Sequence, residues 1–313
     1  MIKRARIIAG CGCLLAAFIA FFLPLAYAEN NPVPDQAQAA RAPHRGALYR
    51  IRHQGHATYL FGTIHVGIPA FFPLDAEVTQ ALSGATRLVV EFDVRNSGPL
   101  QAALQKHGFY GAEDTLERHL SPDSLRKLQQ ALQRFKIPFE QIRRMKPWLV
   151  MNMLMMLDLE RNGYLPQNGI DFFLLANAGT KAVQELETAE YQMSLYDGMG
   201  DAEQEQYLRE NLAELDDGSM LEKTRALIDA WGSANGAALE RLFRESFEEK
   251  TVSSKFTRQV LLDKRNPEMA DRIEILLKSG EPAFVAVGLL HLIGESGIPM
   301  LLKQRGYDVE KLY

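Results

Sequence analysis

Two histidines stand in the same short frame near opposite ends of the chain. Phe61-Gly62-Thr63-Ile64-His65 and Val287-Gly288-Leu289-Leu290-His291 each run from apolar, strand-like residues through a glycine and two further residues to an imidazole. A lone histidine is more often structural than functional. One plan repeated at two strand ends points instead to a shared site, because ligands of α/β folds gather at the carboxyl ends of strands. A third signal lies at residues 85–94, ATRLVVEFDV, which is apolar through Leu88-Val89-Val90 and ends in Glu91 and Asp93. Imidazoles joined by a carboxylate suit manganese, cobalt, iron or zinc, or a base that activates water.

The elements that must position these residues are legible in outline. Leu48, Tyr49 and Ile51 form a short strand, Gln54-Gly55 a tight turn, and Ala57–Ile64 the returning strand. A long helical stretch follows. Ser121 and Pro122 open one helix as N-cap and first residue, and Pro147 opens another that is apolar nearly all round. Ala182–Leu186 returns to strand character, and residues 200–280 carry further amphipathic helices. Ala283–Val287 and Tyr307–Lys311 supply the closing strands. The expected fold is therefore one α/β domain at 46–313. Its mixed central sheet is built from N- and C-terminal strands, with a large helical insertion at about 97–180 and more helices at about 200–280.

Ahead of this domain, Lys3, Arg4 and Arg6 precede an apolar run from Ile7 to Leu25, and Ala26-Tyr27-Ala28 has the form of a signal peptidase site. Residues 1–28 are expected to be a cleaved leader, making the protein periplasmic or secreted with no stable membrane span. An uncleaved N-terminal anchor is the alternative. Residues 29–45, rich in Asn, Pro, Gln and Ala, read as a flexible spacer. Both cysteines, Cys11 and Cys13, fall in the leader, so the mature chain relies on packing and not on disulfides. Loss of the three basic leader residues takes the net charge from −4 to −7. No basic run interleaves with aromatic residues, which excludes a nucleic-acid partner on electrostatic grounds.

The segments YLFGTIHVGIPAFFPL, LVVEFD, KPWL, GIDFFLLANA, ELETAEYQ, LLDKRNPEMADRI and FVAVGLLHLIGESGIPMLLKQRGYDVEKL resemble, in that order, the TraB/GumN family. That family is similar to the TIKI metalloproteases and more distantly to erythromycin esterase and ChaN-like haem-binding proteins. The resemblance implies an EreA/ChaN-like fold and a hydrolase of peptide (amide) bonds that depends on a divalent metal, manganese or cobalt being favoured. His65, His291 and Glu91 are the implied metal ligands, and Glu91, Glu187, Arg265 and Asn266 the implied catalytic groups. The metal would supply a hydroxide, and the glutamate left over would serve as base or acid. Arg265 is expected to stabilise oxyanion charge and Asn266 to orient the substrate carbonyl or the water. The expected partner is a peptide or other small molecule.

Two other functions fit the same residues. One is a non-catalytic protein binding haem, a metal or a peptide; the other is a metal-free hydrolase of the esterase type, using histidine and glutamate. At single residues, bland readings stand beside the chemical ones. Glu187 lies in ETAE, which also suits a helix start, and Arg265 has Glu268 three residues on as a simple partner. Asp171 reads as a first-turn carboxylate favoured by the helix dipole. Met151, Met153, Met155 and Met156 read as core filler, and His44, His53 and His56 as residues without a site role.

Overall fold

The alternating chain at Leu48–His53 (β1) and His56–Thr63 (β2) forms an antiparallel hairpin with Leu48 opposite Phe61 and His53 opposite His56. Gln54 and Gly55 both adopt positive φ (48° and 82°), the conformation that a two-residue hairpin loop requires. The computed structural model describes residues 39–313. The expected leader, both cysteines and residues 29–38 of the expected spacer lie outside the described residues. Residues 44–46 rest against the domain: His44 stacks on Tyr313 at 4.2 Å, and Arg45 donates to the carbonyls of Gly232 and Ala70.

Four further strands complete the sheet: Arg87–Val90 (β3), Ala182–Glu185 (β4), Ala283–Gly288 (β5) and Asp308–Lys311 (β6). Their order is β4-β3-β5-β2-β1-β6. β4, β3, β5 and β2 run parallel to one another, whereas β1 pairs antiparallel with both β2 and β6. The protein is therefore a mixed α/β fold, as the sequence predicts. All six residues of the central strand β5 are buried, which explains why its sequence reads as an unbroken apolar run and not as an alternation.

Helices fill the intervals between strands. Ser97–His107, Pro122–Phe135, Pro147–Arg161 and Ile170–Ala176 lie between β3 and β4. Ala189–Asp197, Asp201–Asp217, Ser219–Gly232, Gly236–Glu245 and Arg265–Ser279 lie between β4 and β5. Pro147–Arg161 buries ten residues, among them Met151, Met153 and Met155, in keeping with a helix enclosed by others. Asp201–Asp217 is the hub of the helical layer and packs on Pro122–Phe135, Pro147–Arg161 and Ser219–Gly232.

The layers are stitched together at the first repeated glycine. The Trp231 indole donates to the Gly62 carbonyl at 2.8 Å, and the Gly62 amide donates to Ala47 at 2.9 Å. On its other side Gly62 lies against the segment that follows β5. A methyl group there would stand 2.9 Å from Leu289 Cδ1 and 3.2 Å from Leu289 Cα. The backbone contact leaves little room for relief. Gly62→Ala is expected to cost about 1–3 kcal/mol through overpacking, measured by urea unfolding; an unchanged midpoint would contradict this packing.

Candidate active site

Each of the four parallel strands delivers one polar side chain at its carboxyl end. Glu187 follows β4, Glu91 follows β3, His291 follows β5 and His65 follows β2. The ladder continues past β3 and β4, with Leu186 N–H donating to Val90 and Glu187 N–H to Glu91, both at 2.8 Å. β2 and β5 are neighbours in register Gly62–Val287 and Thr63–Gly288, so the two Gly-x-x-His motifs lie side by side. A methyl group at Gly288 would stand 3.2 Å from Glu91 Oε1, 3.6 Å from His291 Cδ2 and 3.9 Å from His65 Nε2. The missing side chain leaves the space into which both imidazoles and Glu91 converge.

His65 is oriented by Asp171, which by sequence is only a first-turn carboxylate. Its Nδ1 lies 2.8 Å from Asp171 Oδ2, and Thr63 Oγ1 donates to Asp171 Oδ1 at 2.7 Å. Asp171 reaches that position because Gly169 lets the start of its helix abut the hairpin strand. A side chain at Gly169 would meet the His65 carbonyl oxygen at 2.4 Å, and Ile170 N–H donates to Ile64 O at 2.9 Å. Asp171 is thus a partner of His65 as well as a first-turn carboxylate. Burial disfavours the imidazolium, but the Asp171 carboxylate outweighs it, and the His65 pKa stands above the ordinary histidine value.

His291 is held in the opposite state. It is fully buried, and its Nδ1 faces Asn266 Oδ1 at 2.5 Å. Asn266 donates its amide nitrogen to Ser296 O at 2.7 Å, so its oxygen must accept, and Nδ1 carries the ring proton. Burial, reinforced by the nearby Arg265 cation, lowers the His291 pKa to about 3. Its Nε2 therefore presents a lone pair, has no hydrogen-bond partner, and lies 3.7 Å from Glu91 Oε1. A buried, unpartnered Nε2 facing a carboxylate oxygen calls for a proton, a water or a cation in the gap.

Arg265 lies under both glutamates. Its Nη2 donates to Glu91 Oε2 and to Glu187 Oε2, each at 2.6 Å, and its Nε donates to Glu187 Oε1 at 3.0 Å. Gln192, which carries no signal in the sequence, donates one amide nitrogen to both carboxylates at 2.9 Å. Burial would raise the Glu91 pKa. Arg265 first, then the histidines and the Gly288 N–H at 2.7 Å, hold it far below the usual carboxylate range. Glu268 accepts instead from Tyr191 Oη, so the simple Arg265–Glu268 pairing does not form.

Two expected roles change accordingly. The donors of Arg265 are engaged with Glu91, Glu187 and the Leu261 carbonyl in a side chain that is 2% exposed, an arrangement for fixing carboxylates and not for meeting an oxyanion. Both ends of the Asn266 amide are taken by His291 and Ser296, so Asn266 orients the histidine and not the substrate. Neither Glu187 nor the fully buried His291 lines the cleft. That cleft, partly enclosed, has His65, Glu91 and Asp171 as its polar lining and Val90, Phe92, Val94 and Leu175 as its apolar lining. Asp93 pairs with Arg95 outside it.

Among the described residues no three His, Cys, Asp or Glu side chains already form a group able to hold a metal ion. Glu91 is held by Arg265 through Oε2 and by the Gly288 N–H through Oε1. The donor chemistry nevertheless suits a metal. Both histidines have an oriented Nδ1, the outer-shell arrangement found behind metal-bound imidazoles.

Residues 47–311 match the family model described as TraB/PrgY/gumN family. The chain belongs to that family. It is also 28% identical over 257 residues to the uncharacterized protein YbaP of Shigella flexneri, covering 79% of this chain and 88% of that one. YbaP of Escherichia coli K12 is 28% identical over 256 residues, covering 78% and 87%. No solved structure matches the chain. Among the described residues no helix is long and apolar enough to cross a membrane.

Arg265 is the counter-charge on which this family member's site is assembled. Arg265→Met would leave two buried carboxylates without compensation, and the expected loss is about 3–5 kcal/mol at neutral pH. Adding Glu187→Gln is expected to recover part of it. Urea unfolding of both variants checks this, and a single-variant loss below about 1 kcal/mol would contradict the assignment.

Proposed function

We propose that the protein is an exported hydrolase of peptide (amide) bonds, working with a divalent metal held by His65 and His291 with Glu91. The observation that carries the reading is the buried, unpartnered Nε2 of His291 facing Glu91 Oε1, beside a second imidazole whose Nδ1 is also occupied. A bound divalent ion supplies a water of near-neutral pKa and a Lewis acid for the scissile carbonyl.

The chain's own residues do the remaining work. Asp171, paired with His65 Nδ1, fixes the ring so that its Nε2 lies toward the Gly288 face. Asn266 does the same for His291. Arg265 and Gln192 keep Glu91 ionised, so it offers Oε1 to a cation or to the proton of a water. The apolar lining from Val90, Phe92, Val94 and Leu175 excludes bulk water from that carboxylate.

A metal-free hydrolase is the second reading. It is favoured by the Asp171–His65 pair, which by itself has the form of an oriented general base. The test is cleavage of a peptide library by metal-stripped protein, with and without added manganese or cobalt. Metal-dependent cleavage is expected to disappear in His65→Ala and His291→Ala and to fall about 10–100-fold in Asp171→Asn. Cleavage that survives chelation would transfer the assignment to the metal-free reading, and no cleavage under any condition would reject the hydrolase.

A further inference from the structure

The helix carrying Arg265 and Asn266 is preceded by a π-helical segment, Phe256–Lys264. Pro267 accounts for its position. Proline has no N–H to offer the carbonyl four residues back, so the chain before it is free to widen. The widening has a chemical consequence. Arg258 and Asp263 are five residues apart, a spacing that an α-helix would separate by about 140° around its axis. A π-helix bonds i to i+5 and stacks such residues on one face. Arg258 Nε accordingly donates to Asp263 Oδ2 at 3.1 Å.

Asp263 in turn reaches the loop after the second histidine motif. Its Oδ1 accepts from Ser296 Oγ at 2.8 Å, and the Ser296 carbonyl is the acceptor that fixes the Asn266 amide. A line of hydrogen bonds thus runs from the half-buried Arg258–Asp263 pair through Ser296 and Asn266 to the fully buried His291 ring. Were the Ser296 carbonyl to swing away, nothing in this line would stop the Asn266 amide from turning over. Its nitrogen would then face Nδ1, and the ring proton would have to move to Nε2.

We infer that Asp263 and Ser296, aligned by the π-helical segment, are positioning residues that lock His291 in the tautomer with a bare Nε2. The inference rests on the proposed use of that nitrogen, but it concerns a property of the metal-free protein. It is tested on the full chain labelled with nitrogen-15 histidine, with the His291 signals assigned by their loss in His291→Gln.

In the metal-free parent, His291 is expected to show a protonated Nδ1 and a bare Nε2. Asp263→Ala and Ser296→Ala are each expected to shift its ring-nitrogen signals toward a mixture of tautomers and to weaken manganese binding about tenfold by calorimetry. Asp263→Asn keeps an acceptor for the Ser296 hydroxyl and is expected to restore the parent signals. Both positions are partly exposed, and far-ultraviolet circular dichroism checks that the variants fold. Unchanged His291 signals in either alanine variant would overturn the inference. If the parent binds no manganese, the metal reading fails, while the nitrogen shifts still decide the role of Asp263 and Ser296.

Discussion

One buried guanidinium between two buried carboxylates is the constraint from which the site is built. Glu91 and Glu187 end adjacent parallel strands, and without Arg265 their charges would stand side by side out of water. Uncompensated burial of that kind is among the costliest arrangements a fold can contain. Arg265 meets both at 2.6 Å, and Gln192 uses one more donor to bind the two oxygens that face each other. The consequence for chemistry is that Glu91 stays ionised beside a cleft whose other lining includes Val90, Phe92, Val94 and Leu175. Its Oε1, which accepts from the Gly288 N–H, keeps a second lone pair for whatever lies between it and the imidazoles.

The parallel part of the sheet makes this arrangement economical in geometry. Four strands pointing the same way bring residues from positions 65, 91, 187 and 291 to one edge without a long search for alignment. The helices supply what strands cannot. Ile170–Ala176 brings Asp171 to His65, Ala189–Asp197 brings Gln192 to the carboxylates, and the π-to-α junction brings Arg265 and Asn266 to two different partners from consecutive positions. The two histidines consequently differ: His65 has a raised pKa and His291 a strongly lowered one. Neighbouring groups with divergent affinities for protons are a recurring property of catalytic sites.

Much of the framework could be read from local pattern. The apolar run of β5, the two-residue turn of the first hairpin and the paired Gly-x-x-His frames all rest on short-range physics, and they appear where expected. Glu91 stands out at the end of an apolar strand, Glu187, Arg265 and Asn266 only through the family resemblance, and the structure brings the four together. Their roles were harder to see, because a role depends on who the partner is. Asp171 sits in a first helical turn, where any carboxylate is favourable. Only the approach of Gly169 to the His65 carbonyl, a contact across 104 residues, reveals its second function. Gln192 has no signature at all, being one amide on a helix face. The π-helical segment leaves a faint trace in Pro267, but its spacing becomes visible only when Arg258 and Asp263 are seen to pair.

Both imidazoles and Glu91 lie around the space above Gly288. Anomalous diffraction from a crystal loaded with manganese tests this arrangement as a metal site most directly. One strong peak is expected at bonding distance from Nε2 of His65, Nε2 of His291 and an oxygen of Glu91, with Arg265 still on Glu187. A loaded crystal with no peak there, or with manganese bound elsewhere while the His291 Nε2 stays bare, would contradict it.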